Sequence, residues 1–172
     1  MKKISSGTLA YEVGATIAAA SNTVTTLRNV LEKYQEKLPD FQRKYGGFLC
    51  IMDIRTGKII KTTLIGAVPS EKAERYKSLS QEKAQRLFLN IKGGHITSYE
   101  SRSPQGDKWG GAIATEKLII SFSGFPEDGD TFICLTTAHE TMKLKEEYKK
   151  RIIEITNIGY LVEVPELKKL LQ

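Results

Sequence analysis

The stretch that decides the fold is DKWGGAIATEKLIISFSGFPEDGD, Asp107 to Asp130. It holds the only tryptophan, a Gly-Gly pair, two apolar runs and an acidic, glycine-containing end. Gly110 to Thr115 reads as one strand, Glu116-Lys117 as a turn and Leu118 to Ser123 as the returning strand. PEDGD then ends the sheet, with Asp128 or Asp130 placed to cap a helix from about Thr131 to Arg151. Phe132, Leu135, Ala138, Met142 and Tyr148 supply much of that helix's buried face.

Outward from this hairpin, the remaining elements follow from periodicity. Leu9 to Lys37 favours helix, with Ile17, Leu27, Val30, Leu31 and Tyr34 on a broken stripe. Ser21–Thr23 can cap a second helix, so one long helix or two short ones are both compatible, and Pro39 ends the pattern. FLCIMDI and KIIKTTLIG are strands joined from Asp53 to Gly57, where Gly57 supplies the positive φ of a hairpin turn. VPSEKAERYKSLSQEKAQRLFLNI is the clearest helix. Ala73, Tyr76, Ser80, Ala84, Leu87 and Ile91 share one face, and Lys and Glu take the other. Ser70 is its N-cap and Gly93-Gly94 stop it. HITSYESR reads as an edge strand and VPELKKLLQ as a short appended helix. The order is α-β-β-α-β-β-β-α. Short turns between successive strands predict an α+β fold, a five-stranded antiparallel sheet flanked by helices.

At 172 residues the chain is expected to form a single domain with a core that needs neither disulfides nor metal. The net charge of +6 comes from 26 basic and 20 acidic residues interspersed along the chain, a pattern that argues against nucleic-acid binding. Cys50 and Cys134 have no CxxC or His-paired spacing and sit in apolar runs, which favours buried reduced thiols over the alternative of a bridge between them. No segment approaches the ~20 apolar residues that span a bilayer. MKK and IAAAS mimic the ends of a secretory signal, but Gly7, Glu12 and Gly14 interrupt the apolar stretch between them, which points to the cytoplasm.

No reactive constellation emerges from the motifs. WGGAIA lacks the Lys-Ser/Thr of a P-loop and the third glycine of a dinucleotide fingerprint. SFSGF has Ser121 where a nucleophile elbow needs Gly. HETMK has Lys143 where a zincin has its second His, and EDGD has too few carboxylates for a calcium loop. Lys83 and Ser123 are the available nucleophiles, and neither has a visible activating neighbour.

The span IMDIRTGKIIKTTLIGAVPSEKAERYKSLSQEKAQRLF resembles the signature region of the haem-binding HbpS-like family, which includes the glycolate-operon GlcG proteins. Asp53, Gly57, Gly66-Ala67, Lys83-Ala84 and Phe88 follow that family's order, and Gly110-Gly111, Ser123-Gly124 and Asp128 to Asp130 match its second half. The resemblance covers residues 27–138, leaving a helical C-terminal extension over 139–172. It implies a profilin-like or roadblock-like sheet, homo-oligomers, and members that bind haem or a corrinoid or have no assigned activity. The chain departs from it at SYESRSPQGDKW, in the longer tail, and in lacking a proline after Gly111. The reading that follows is a non-enzymatic domain that binds a small ligand or a partner. Its site is expected near Trp109, Gly110, Gly111 and Ser123, where an aromatic ring, close backbone and small polar groups converge, with His139 as a polar contributor only if the final helix faces that end. The alternative is haem or corrinoid binding with His95 or His139 as axial ligand.

Overall fold

The computed structural model describes residues 6–34, 41 and 44–172. Helix α1, Ser6–Lys33, is one long helix. The Ser21 and Thr25 hydroxyls donate to the carbonyls of Ile17 and Ser21, each at 2.9 Å, so these residues bond back within the helix instead of capping a second one. The expectations at residues 35–40, Pro39 among them, lie outside the described residues.

Strand β1, Tyr45–Asp53, turns at Gly57 (φ +68°) into antiparallel β2, Ile59–Ala67. Helix α2, Ser70–Asn90, begins at Ser70 with Pro69 as the cap residue. A 3-10 turn at Ile91–Gly93 and Gly94 at φ +90° end it. Strand β3, Ala112–Ala114, and strand β4, Leu118–Ser123, form the hairpin read from the opening stretch, with β3 shorter than expected. The sheet order is β2-β1-β4-β3.

The expected five-stranded sheet is therefore corrected to four strands among the described residues. The HITSYESR segment contributes only a single bridge, Thr97 opposite Ile113. The reason is local. The Glu100 carboxylate accepts the N–H groups of Ile96 and Thr97 at 2.7 and 3.0 Å, and the Thr97 hydroxyl accepts that of Tyr99 at 3.3 Å. This capping box turns the chain into a 3-10 turn at Ser98–Ser101 before a strand can propagate.

The long final helix is corrected too. Helix α3, Glu127–Met142, starts four residues earlier than expected, just after Pro126. It stops at Lys143, whose left-handed backbone (φ +48°) lets its N–H close on the His139 carbonyl. Helix α4, Glu146–Ile155, is separate and carries Tyr148, whose hydroxyl donates to the Ala114 carbonyl. Short helices α5, Gly159–Val162, and α6, Pro165–Lys168, complete the chain.

Strand alternation divides the core into two layers. Leu49, Ile51, Ile113, Ile120 and Phe122 pack with α1 and α3 on one face. Cys50, Met52, Ala112, Ala114 and Ile119 pack with Ala84 and Leu87 of α2 on the other. All six residues of β4 are buried, because this central strand has helices on both sides. Between α1 and α3, Thr23 and Thr136 share a buried hydrogen bond of 3.0 Å. The tail returns to the same layer through Leu167 and Leu171, and Lys149 donates to the Leu171 carbonyl at 2.7 Å. Cys50 and Cys134 are buried free thiols; burial pushes Cys50 up to about 11 and Cys134 well above its ordinary value. No described helix is long and apolar enough to cross a membrane.

Candidate functional site

The site lies where β4 runs out at Ser123 and the chain turns into α3. Gly124 permits that turn: a Cβ there would stand 2.2 Å from the Gly46 carbonyl oxygen. Above it opens a cleft of about 670 Å³. One wall is a stripe of α2, Lys72, Tyr76, Leu79 and Lys83, whose spacing of four, three and four residues puts them on one helix face. Pro126 to Asp128 at the start of α3 form the opposite wall. Tyr99, Arg102 and Trp109, from the long connection ahead of β3, form the third.

The floor is an ion pair. Lys83 Nζ lies 2.7 Å from Asp130 Oδ2, with both side chains 2% exposed, and it also donates to the Phe122 carbonyl at 2.9 Å. Asp130 Oδ1 accepts the Phe125 N–H at 2.9 Å, so both carboxylate oxygens are engaged. Burial pushes the Asp130 carboxyl up to about 6, against the opposing pull of the Lys83 ammonium and the backbone N–H groups. Gly111 (φ +109°) fits over this pair only because it has no side chain. A Cβ there would be 2.7 Å from the Asp130 Cβ and 3.0 Å from Lys83 Nζ.

Around the mouth, further charges are paired with each other. Arg102 meets Glu127 at 2.6 Å and lies 4.0 Å from the Tyr99 ring centroid. Glu127 also accepts the Gly110 N–H at 2.9 Å. Arg75 meets Asp107 at 2.8 Å, and the same carboxylate oxygen accepts the Trp109 indole N–H at 2.7 Å. Behind the loop, Arg86 of α2 uses every donor of its guanidinium. It bonds both oxygens of Glu82, the Ser98 carbonyl, the Ser101 hydroxyl and the Trp109 carbonyl, between 2.6 and 3.3 Å.

No protein-family model, curated protein or solved structure matches this chain. Its chemistry is therefore read from the site alone. Trp109 and Ser123 line the cleft, and Gly110 and Gly111 are buried next to its lining groups. His139 is not on the lining. It sits in the last turn of α3, nine residues beyond Asp130, or about 13 Å along the helix. Burial and nearby Lys149 lower its basicity. His95 precedes the bridge at Thr97 and is likewise absent from the lining.

The lining of this cleft offers haem no axial ligand. Among the described residues that line the cleft there is no His, Cys or Met. Of its two tyrosines, Tyr76 has its hydroxyl bonded to Lys44 at 3.2 Å, and burial pushes Tyr99 up, away from a ligating phenolate. No group of three or more His, Cys, Asp or Glu that would hold a metal ion occurs among the described residues. Lys83 spends two donors of its amino group on the Phe122 carbonyl and the Asp130 carboxylate.

Sequence reasoning missed Lys83, Asp130 and Arg86 as inward-facing groups. It placed Lys83 with the charged face of α2 and treated Asp130 as a cap. The signal was present for Lys83, which is three residues after buried Ser80 and four before buried Leu87. Periodicity marks the position, and only the partner on α3 explains why a lysine fills it.

Proposed function

We propose that this chain is a non-enzymatic small-ligand-binding domain whose ligand occupies the cleft between α2, the start of α3 and the Tyr99–Trp109 connection. The observation that carries the reading is the floor: a buried ion pair, with both carboxylate oxygens hydrogen-bonded, facing a cleft of small-molecule size beneath an aromatic rim. Groups held this way bind and orient, whereas acid–base or nucleophilic chemistry needs a group with an uncommitted proton or lone pair. Both oxygens of Asp130 and the Arg102–Glu127 pair are already committed.

Trp109 tests the reading directly, because it is the only tryptophan and stands on the cleft wall. A ligand entering the cleft changes its emission. Replacing it, Trp109→Ala, weakens binding about tenfold by calorimetry, a loss of about 1.4 kcal/mol. Unchanged affinity moves the ligand elsewhere. The resemblance to the HbpS-like family also implies assembly into homo-oligomers. Strand β2 is a sheet edge with Leu64 exposed, and light scattering at rising protein concentration reads the subunit number.

A further inference from the structure

We infer that the ligand of this cleft is a flat organic phosphate monoester, its phosphate seated by Lys44 and Lys72 and its ring against the aromatic rim. This rests on the ligand-binding reading above and adds the chemical class. Five cations line the cleft: Lys44, Lys72, Arg75, Lys83 and Arg102. Arg102 is held by Glu127, Arg75 by Asp107 and Lys83 by Asp130. Lys44 and Lys72 form no ion pair among the described residues.

Both lysines adjoin Tyr76. Lys44 Nζ donates to its hydroxyl at 3.2 Å and lies 5.7 Å from its ring centroid, and Lys72 is one turn earlier on the same face of α2. The free positive charge is thus gathered at the Tyr76 end of the cleft.

The guanidinium fork matches carboxylate and phosphate alike, but both arginines of the cleft are already taken by carboxylates of this chain. What is left are compact ammonium groups on flexible stems, which bind tetrahedral, doubly charged phosphate as point charges. The α3 N-terminus opens on the same cleft, but its first turn carries Glu127, Asp128 and Asp130, so the phosphate belongs at the lysine end and not against that helix. Tyr99 and Trp109 on the third wall offer flat apolar surface with polar edges, which suits a heteroaromatic ring.

Calorimetry of the full chain with two matched pairs, AMP against adenosine and FMN against riboflavin, tests the assignment. At least one phosphorylated member is expected to bind ten times or more tighter than its dephosphorylated partner. In the double variant Lys44→Ala/Lys72→Ala that gap shrinks below about threefold while the nucleoside or riboflavin affinity is kept. Equal binding within both pairs, or a gap that survives the double variant, overturns the phosphate seat and leaves the cleft as a site for another ligand class. So does tighter binding of an aromatic carboxylate such as indole-3-acetate than of either phosphate. Failure of these and of a broad metabolite set to bind or to change Trp109 emission overturns the ligand-binding reading itself.

Discussion

Lys83→Met is expected to lose about 3–5 kcal/mol of folding stability in urea denaturation, the largest effect of any single exchange at the site. The substitution keeps much of the side-chain volume but leaves the Asp130 carboxylate buried at 2% exposure with no cation beside it. It also strips the Phe122 carbonyl of the ammonium that bonds it at 2.9 Å. Small domains hold only about 5–15 kcal/mol in total, so the variant is close to unfolding. Neutralising the partner as well, in Lys83→Met/Asp130→Asn, recovers about half of the loss, since the asparagine oxygen still accepts the Phe125 N–H.

The pH dependence gives this expectation a signature. Burial raises Asp130 from 3.8 to about 6 in the folded protein, so the folded state holds this proton more tightly than the unfolded chain does. The contribution of this group to stability therefore grows as pH falls from about 6 toward about 4. Without Lys83 the carboxyl rises further and the window widens upward. The penalty of Lys83→Met is then smaller at about pH 5 than at about pH 8. An equal penalty at both would mean that lost packing, not the stranded charge, is responsible.

How far the sequence reads through to the fold depends on whether local and tertiary signals agree. The hairpin at Asp53–Gly57 and the pair of strands around Glu116-Lys117 were legible, because turn residues and apolar runs coincide there. The fifth strand was not. HITSYESR alternates weakly, and the Thr97–Glu100 capping box within it outcompetes strand pairing by taking the very N–H groups a ladder would use. The break after Met142 had no Gly or Pro to announce it; Lys143 adopts the left-handed backbone that glycine usually supplies.

The site divides the same way. Trp109, Gly110, Gly111 and Ser123 were legible as a convergence of aromatic, small and polar residues around one turn, and they do come together at the cleft and its floor. His139 depended on which end the final helix presents to the site, and the stretch of α3 between it and Asp130 carries it away from the cleft lining. The pairing of Lys83 with Asp130 spans 47 residues, and no local pattern announces a contact of that separation.

Arg86→Met is the second large expectation, about 3 kcal/mol, and it separates holding the cleft from lining it. Arg86 is 8% exposed and is not on the cleft surface, yet it ties α2 to both ends of the 98–109 connection. Removing the guanidinium leaves the Ser98 and Trp109 carbonyls without their charged donor, at 2.7 and 2.6 Å in the intact protein. Arg86→Lys does little better, since a single ammonium cannot reach Glu82, Ser98, Ser101 and Trp109 at once. The connection that carries Tyr99, Arg102 and Trp109 then loosens. Trp109 emission shifts to the red in the still-folded protein, and ligand affinity falls by about tenfold although no lining residue has changed. A variant that loses stability while Trp109 emission and affinity stay fixed would reduce Arg86 to a buried brace of the core, with no part in shaping the cleft.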